Sequence, residues 1–315
     1  MFSGQVIALL APGQGAQSPG MLEPWLALDG AEDRVAVWSE ITGLDLRRLG
    51  TTADAEEIKD TAVTQPLVVA LSLLAAEELT RTLDLPAEAP IAGHSVGELA
   101  AAAVAGVLTA DEALGLAAVR GQAMAAACAL QPTGMSAVLG GDPDEVLAVL
   151  ATLGLEPANC NGAGQIVAAG RRDALAELAE RRPDRARVAA LPVAGAFHTR
   201  FMAPAEQELA RHAAQLTAKE PVRPLLSNAD GEVVTEGAEL LRRLVAQVTR
   251  PVRWDACMAR LGALGVTATV ELPPAGTLSG LVKRDLKGTI TLALKEPADL
   301  DAVAGLVADH SGSRA

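Results

Sequence analysis

"GHSVGE", residues 93–98, decides how the rest of the chain is read. It follows the apolar run "APIA" and precedes the alanine-rich "LAAAAVAGVL". Gly93-x-Ser95-x-Gly97 is the spacing of a nucleophile elbow, a sharp turn from a strand into a helix that lifts the serine Oγ clear of the main chain. The helix starting just beyond Ser95 points its free N–H groups at that position, so the Val96 N–H is a natural donor to an oxyanion.

An elbow needs a sheet around it. "QVIALLAP" reads as a buried strand running into the loop "GQGAQSPG", and "PIAGHS" as a short central strand. "TQPLVVALSLLAAEELTRTL" reads as a long apolar helix, with Ala-rich helices following to about residue 128. Strands that are continuously apolar, alternating with helices, point to a parallel sheet covered on both faces. Residues 131–195 change rhythm. "GMSAVLGG", "DPDEVLAVLATLG", "EPANCN", "GQIVAAG", "RRDALAELAERR" and "RARVAALPV" give βαββαβ, a ferredoxin-like order. The expected organisation is α/β: a discontinuous catalytic domain, 1–130 and 196–315, with a ferredoxin-like small domain inserted at 131–195.

Composition narrows the function. The chain has 315 residues, half of them apolar, enough for a sizeable core. With no Tyr, three Phe and three Trp, stacking platforms for nucleic-acid bases are hard to build. A formal charge of −13 argues against binding a polyanion over a broad surface. Cys128, Cys160 and Cys257 are scattered and fit neither a disulfide framework nor a zinc pattern; thiols in a reducing cytosol are expected. The N-terminal apolar run stops at Pro12 without a basic lead, so neither export nor membrane insertion is expected.

A serine hydroxyl needs a base, and the chain has four histidines. His310 lies in the terminal tail and His212 among polar helix neighbours, which reads as surface for both. His94 sits inside the elbow with its side chain expected to point away from that of Ser95. His198, in "GAFHTRFMAP", lies where the small domain returns to the large one and is the best-placed partner. An ordinary histidine titrates near pH 6.5, so acylation is expected to fall as pH drops through its pKa. No acid between Ser95 and His198 stands out as a third member; a carbonyl able to accept the Nδ1–H could serve instead. "APGQGAQSPG" fails as a dinucleotide loop because its third glycine is Ser18. A glycine-rich turn bringing a backbone N–H to a substrate oxygen fits better. Arg120 stands in a helix of Ala, Leu and Val, where it either snorkels to solvent or faces the pocket as a fork for a substrate carboxylate.

Together, "GQGAQ", "GHSVGE", the Arg120–Gly121 pair, "NGAGQIV", "GAFHT", "QVTRPVRW" and "PPAGTLSGL" follow the order of the malonyl-CoA:acyl carrier protein transacylase family, which the chain resembles over nearly its whole length. The resemblance implies an α/β-hydrolase-like core with a ferredoxin-like small domain, Ser95 as nucleophile and His198 as base. It implies Arg120 as the clamp on the malonyl carboxylate, the Gln14 and Val96 N–H groups as oxyanion hole, and the Gln247 main-chain carbonyl as the holder of His198. Asn161 is expected to line the cleft, and Phe197 to fill the space of an α-methyl group, favouring malonyl over methylmalonyl. Arg250 stands where the family often has Asn, and "PPAG" replaces a more usual "GPG".

The expected activity is cytosolic malonyl transfer from malonyl-CoA, through a seryl ester, to the pantetheine thiol of acyl carrier protein, in fatty-acid or polyketide synthesis. No metal or other cofactor, nucleic acid or membrane is implied. Carrier proteins are acidic, so a basic docking patch is expected, with Arg171, Arg172, Arg200, Arg250 and Lys283 as candidates. A serine esterase or thioesterase, the transacylase subunit of a malonate decarboxylase and a non-catalytic docking module are the rivals.

Overall fold

The computed structural model describes residues 6–311. Eleven strands are found among them: β1 (Val6–Ala11), β2 (Ile91–Gly93), β3 (Thr133–Gly140), β4 (Glu156–Gly162), β5 (Gln165–Arg171), β6 (Ala186–Ala190), β7 (Leu225–Leu226), β8 (Val233–Val234), β9 (Val252–Arg253), β10 (Val266–Glu271) and β11 (Ile290–Ala293). Six of them form one sheet in the order β11-β10-β1-β2-β7-β8, parallel except for the antiparallel β7–β8 pair.

Why the central strands read as continuous apolar runs is visible in β1. Ile7, Leu9 and Ala11 point into the main core with Trp25, Leu67 and Leu71, while Ala8 and Leu10 point to the opposite face with Trp254, Met258 and Leu281. A strand buried on both faces has no position left for a polar side chain. The helix Thr61–Thr82 opens with Asp60, whose carboxylate accepts the Ala62 N–H, and packs against the helix Ala110–Cys128. It is long and apolar enough to cross a membrane, but 78% of its most apolar window is buried in this chain.

The second sheet runs β6-β3-β5-β4-β9. Its first four members are antiparallel neighbours and appear along the chain as βαββαβ, with the helices Pro143–Thr152 and Arg172–Glu180 between strands. Val138, Ile166 and Ala168 from the sheet and Val146, Leu150, Leu175 and Leu178 from the two helices make its own core. The fifth strand, β9, arrives from far along the chain and pairs in parallel with β4, Asn159 opposite Val252 and Cys160 opposite Arg253.

Candidate active site

The elbow forms because β2 must turn into the helix Gly97–Val104 within three residues. A Cβ on Gly93 would sit 2.2 Å from the Gly97 carbonyl carbon, and one on Gly97 would sit 2.3 Å from the Ala11 main-chain oxygen. Neither turn leaves room for a side chain. Ser95 takes up the resulting strain, with φ of 54° in the left-handed region.

Ser95 Oγ lies 2.7 Å from His198 Nε2. His198 also has left-handed backbone, φ 60°, and is followed by Thr199, whose hydroxyl caps the short helix Arg200–Met202. Its Nδ1 lies 2.8 Å from the main-chain oxygen of Gln247. A carbonyl oxygen only accepts, so Nδ1 carries the proton and Nε2 presents its lone pair to the serine. The imidazole is buried and its pKa is pushed down to about 3, by burial first and then by the positive charge of Arg120.

Arg120 faces the site and is 2% exposed, so the snorkelling alternative does not occur. Its Nη1 donates to Gln65 Oε1 at 2.6 Å, and Nη2 donates to Gln247 Oε1 at 2.9 Å and to Ser95 Oγ at 3.2 Å. Among the described residues it forms no ion pair within 4 Å. The charge of Glu98 acts on it from beyond that distance, and Glu98 is itself pushed up to about 7 by burial. A guanidinium held by two neutral amide oxygens beside a nucleophile is an open seat for an anion.

These groups line a cavity of about 850 Å³ between the two sheets, with Gln14, His94, Met124, Asn161, Phe197, Leu281 and Arg284 on its walls. Gln14 stands at the wall, its side chain reaching Thr61 Oγ1 at 3.4 Å. Val96 is 1% exposed and precedes the first residue of the elbow helix. The Ser95 N–H is already taken by Asn228 Oδ1 at 2.8 Å. Asn161 reaches the cavity and meets His94 Nε2 at 2.9 Å, so His94 faces the cleft while making no bond to Ser95.

Other expectations need correction. His310 is not a surface residue: the helix Leu300–Ser311 carries it into a buried position with Nδ1 2.8 Å from the Leu306 carbonyl. His212, by contrast, is exposed as expected, beside Glu208. Two members of the expected basic patch are neutralised locally, Arg171 by Asp173 and Arg200 by Glu156, and Arg172 donates to the Thr133 carbonyl. The basic side chains that do line the cavity, besides Arg120, are Lys59 and Arg284. Arg250, the departure from the family pattern, is exposed and does not line it.

Gln65, Glu98 and Asn228 are site residues that the sequence reading missed. Glu98 stands inside "GHSVGE" itself, but an acid in the first turn of a helix is ordinary there. Gln65 and Asn228 sit in no short pattern that singles them out.

The acyl transferase domain family matches residues 9–313. The malonyl CoA-acyl carrier protein transacylase of Mycobacterium bovis is 60% identical over 302 residues, 96% of this chain and 100% of that one. Its counterpart from Salmonella typhimurium is 34% identical, over 94% of this chain and 97% of its own. Among solved structures, that of MCAT from Mycobacterium tuberculosis superposes with a TM-score of 0.91 at 59% identity, covering 95% of this chain and 100% of that one. That of the malonyl-CoA:acyl carrier protein transacylase from Xanthomonas oryzae gives 0.88 at 35% identity, covering 96% and 98%. The chain belongs to the acyl transferase domain family and, within it, to the malonyl CoA-acyl carrier protein transacylases.

Proposed function

We propose that this chain transfers a malonyl group from malonyl-CoA to the pantetheine thiol of acyl carrier protein, by way of an ester on Ser95. The observation that carries the reading is Arg120, buried, without a carboxylate partner among the described residues, and 3.2 Å from the Ser95 hydroxyl. Malonyl has one carboxylate, two bonds from its thioester carbon. With the carboxylate on the Arg120 fork, that carbon is held beside Oγ.

His198 Nε2 takes the Ser95 proton as Oγ attacks the thioester carbon. The Gln14 and Val96 N–H groups receive the charge that develops on the carbonyl oxygen. The C–S bond then breaks, and the departing CoA sulfur takes the proton from His198. In the second half the carrier's thiol gives its proton to His198 and attacks the ester carbon. The C–O bond breaks and Ser95 Oγ recovers the proton. Every transfer is made by one imidazole, so the reading includes no metal or further cofactor. Phe197, on the cavity wall, takes up the space that an α-methyl would need. Three free thiols suit a reducing cytosol.

Mass spectrometry of the protein after brief exposure to malonyl-CoA tests the reading. A malonyl adduct on Ser95 that is removed by carrier protein much faster than by water supports a transferase. Release to water at the same rate makes the chain a thioesterase.

A further inference from the structure

Behind the clamp lies a buried carboxyl group that the chemistry above does not use. Glu98, on the first turn of the elbow helix, is 1% exposed. Its Oε1 accepts the Asn228 backbone N–H at 2.7 Å and its Oε2 accepts the side-chain amide of Gln247. The same amide nitrogen donates to the Ser95 main-chain oxygen at 3.1 Å and to Asn228 Oδ1 at 3.2 Å. Three oxygens therefore surround Gln247 Nε2. An amide has one donating and one accepting end, and reversing this one would press Oε1 against all three. Oε1 is thereby turned toward Arg120, whose Nη2 it receives.

We infer that Glu98 is a positioning residue for the carboxylate of the acyl donor: through the Gln247 amide it fixes the direction of the Arg120 fork. This rests on the reading of Arg120 as the clamp. Gln247 is thus used twice, its main chain holding the base and its side chain holding the clamp. Glu98 acts on the second through the side-chain amide, while its other oxygen holds the Asn228 backbone N–H.

Glu98→Gln tests this, because one of the two acceptor oxygens becomes an NH2. The buried Asn228 N–H cannot turn away and keeps the remaining oxygen. The new NH2 then confronts Gln247 Nε2, and Arg120 loses its acceptor. Acylation of Ser95 by malonyl-CoA should lose ~10–100-fold in kcat/KM, mostly through KM, since the clamp acts on ground and transition states alike. Acetylation of Ser95 by p-nitrophenyl acetate, which has no carboxylate, should change by less than about 3-fold. Gln247→Ala, which also releases the Ser95 main-chain oxygen, should lose malonyl transfer at least as far, with the double variant no worse than Gln247→Ala alone. If the amide variant does not fold, Glu98→Asp withdraws both oxygens by one methylene and gives the same readout. Parallel losses with both acyl donors, or additive losses in the double variant, overturn the inference. A wild-type chain that takes up no malonyl group overturns the proposed function instead.

Discussion

Ser95 Oγ and His198 Nε2 stand 2.7 Å apart across 103 residues of sequence, and both residues hold left-handed backbone. A non-glycine residue there costs about 1–2 kcal/mol relative to the right-handed region. The strain persists because the elbow on one side and the capped helix after Thr199 on the other leave no alternative path. Ser95→Ala keeps that strain and Ser95→Gly releases it. We expect neither variant to form a malonyl ester, and the glycine variant to be more stable than the alanine one by ~1 kcal/mol, reversing the usual order in folded segments. Chemical denaturation of the pair measures the difference. An alanine variant of equal or greater stability would show that the turn is relaxed.

The base is expected to stay neutral throughout the ordinary range. With its pKa pushed down to about 3, His198 does not titrate between pH 5 and 8, so kcat/KM for malonyl-CoA carries no histidine limb there. A histidine with its ordinary pKa would instead show a rate falling near pH 6.5. The folded-state pKa lies below the unfolded one, so the unfolded chain binds the proton more readily. The stabilisation is complete above the unfolded value of ~6.5 and is lost as pH falls toward 3. His198→Asn, neutral and tolerant of left-handed backbone, should lose stability less steeply with acid. Denaturation at pH 7 and pH 4.5 compares the slopes; equal slopes refute the depressed pKa.

Arg120→Ala separates a malonyl enzyme from a general serine acyltransferase. Stripping one partner from a buried charge pair costs about 3–5 kcal/mol, which is roughly two to four decades in kcat/KM for malonyl-CoA. Acetyl-CoA offers no carboxylate, so its use should hold or improve. Lysine should recover little, because a point charge cannot span Gln65 and Gln247 as the fork does. Single-turnover acylation with both thioesters decides it, and parallel losses would make Arg120 structural.

The elbow glycines should be intolerant of a methyl group, unlike a helix glycine elsewhere. In Gly97→Ala the new Cβ would meet the Ala11 oxygen at 2.3 Å, backbone that cannot move aside without disturbing β1. We expect a loss of more than ~3 kcal/mol or failure to fold. Gly115, in the helix Ala110–Cys128, has only Ile41 Cγ2 at 3.8 Å, so Gly115→Ala should gain about 0.5–1 kcal/mol. Unfolding midpoints of the two variants test the contrast.

Much of this was legible because it is local. The elbow, the long helix at Thr61–Thr82 and the βαββαβ order are periodicities and spacings within short windows, and the structure keeps all three. Arg120 was legible as an anomaly, a cation on an apolar helix, though its direction was not. The partners that hold the site are set by contacts across 127 to 152 residues: Gln247 to Arg120, to Glu98 and to the elbow oxygen. No periodicity encodes such a distance, and the Gln247 carbonyl was reached only through family resemblance. Asn228 sits in "LLSNADG", which reads as an ordinary turn. His310 was misplaced for a simpler reason: sequence shows that it is near the end of the chain and cannot show that the last helix docks.

The fifth strand of the small sheet has a mechanical consequence. Because β9 is hydrogen-bonded to β4, that sheet is stitched to chain that follows the base-bearing loop. Further along the same hairpin, Asn161 is tied to His94, and the Asp285 carboxylate lies against Gly162. Swinging the small sheet away from the large one would break these contacts together. Opening the cleft is thus opposed by backbone pairing as well as by side-chain contacts. A single extended arm ending in a thiol reaches Ser95 without breaking any of these ties.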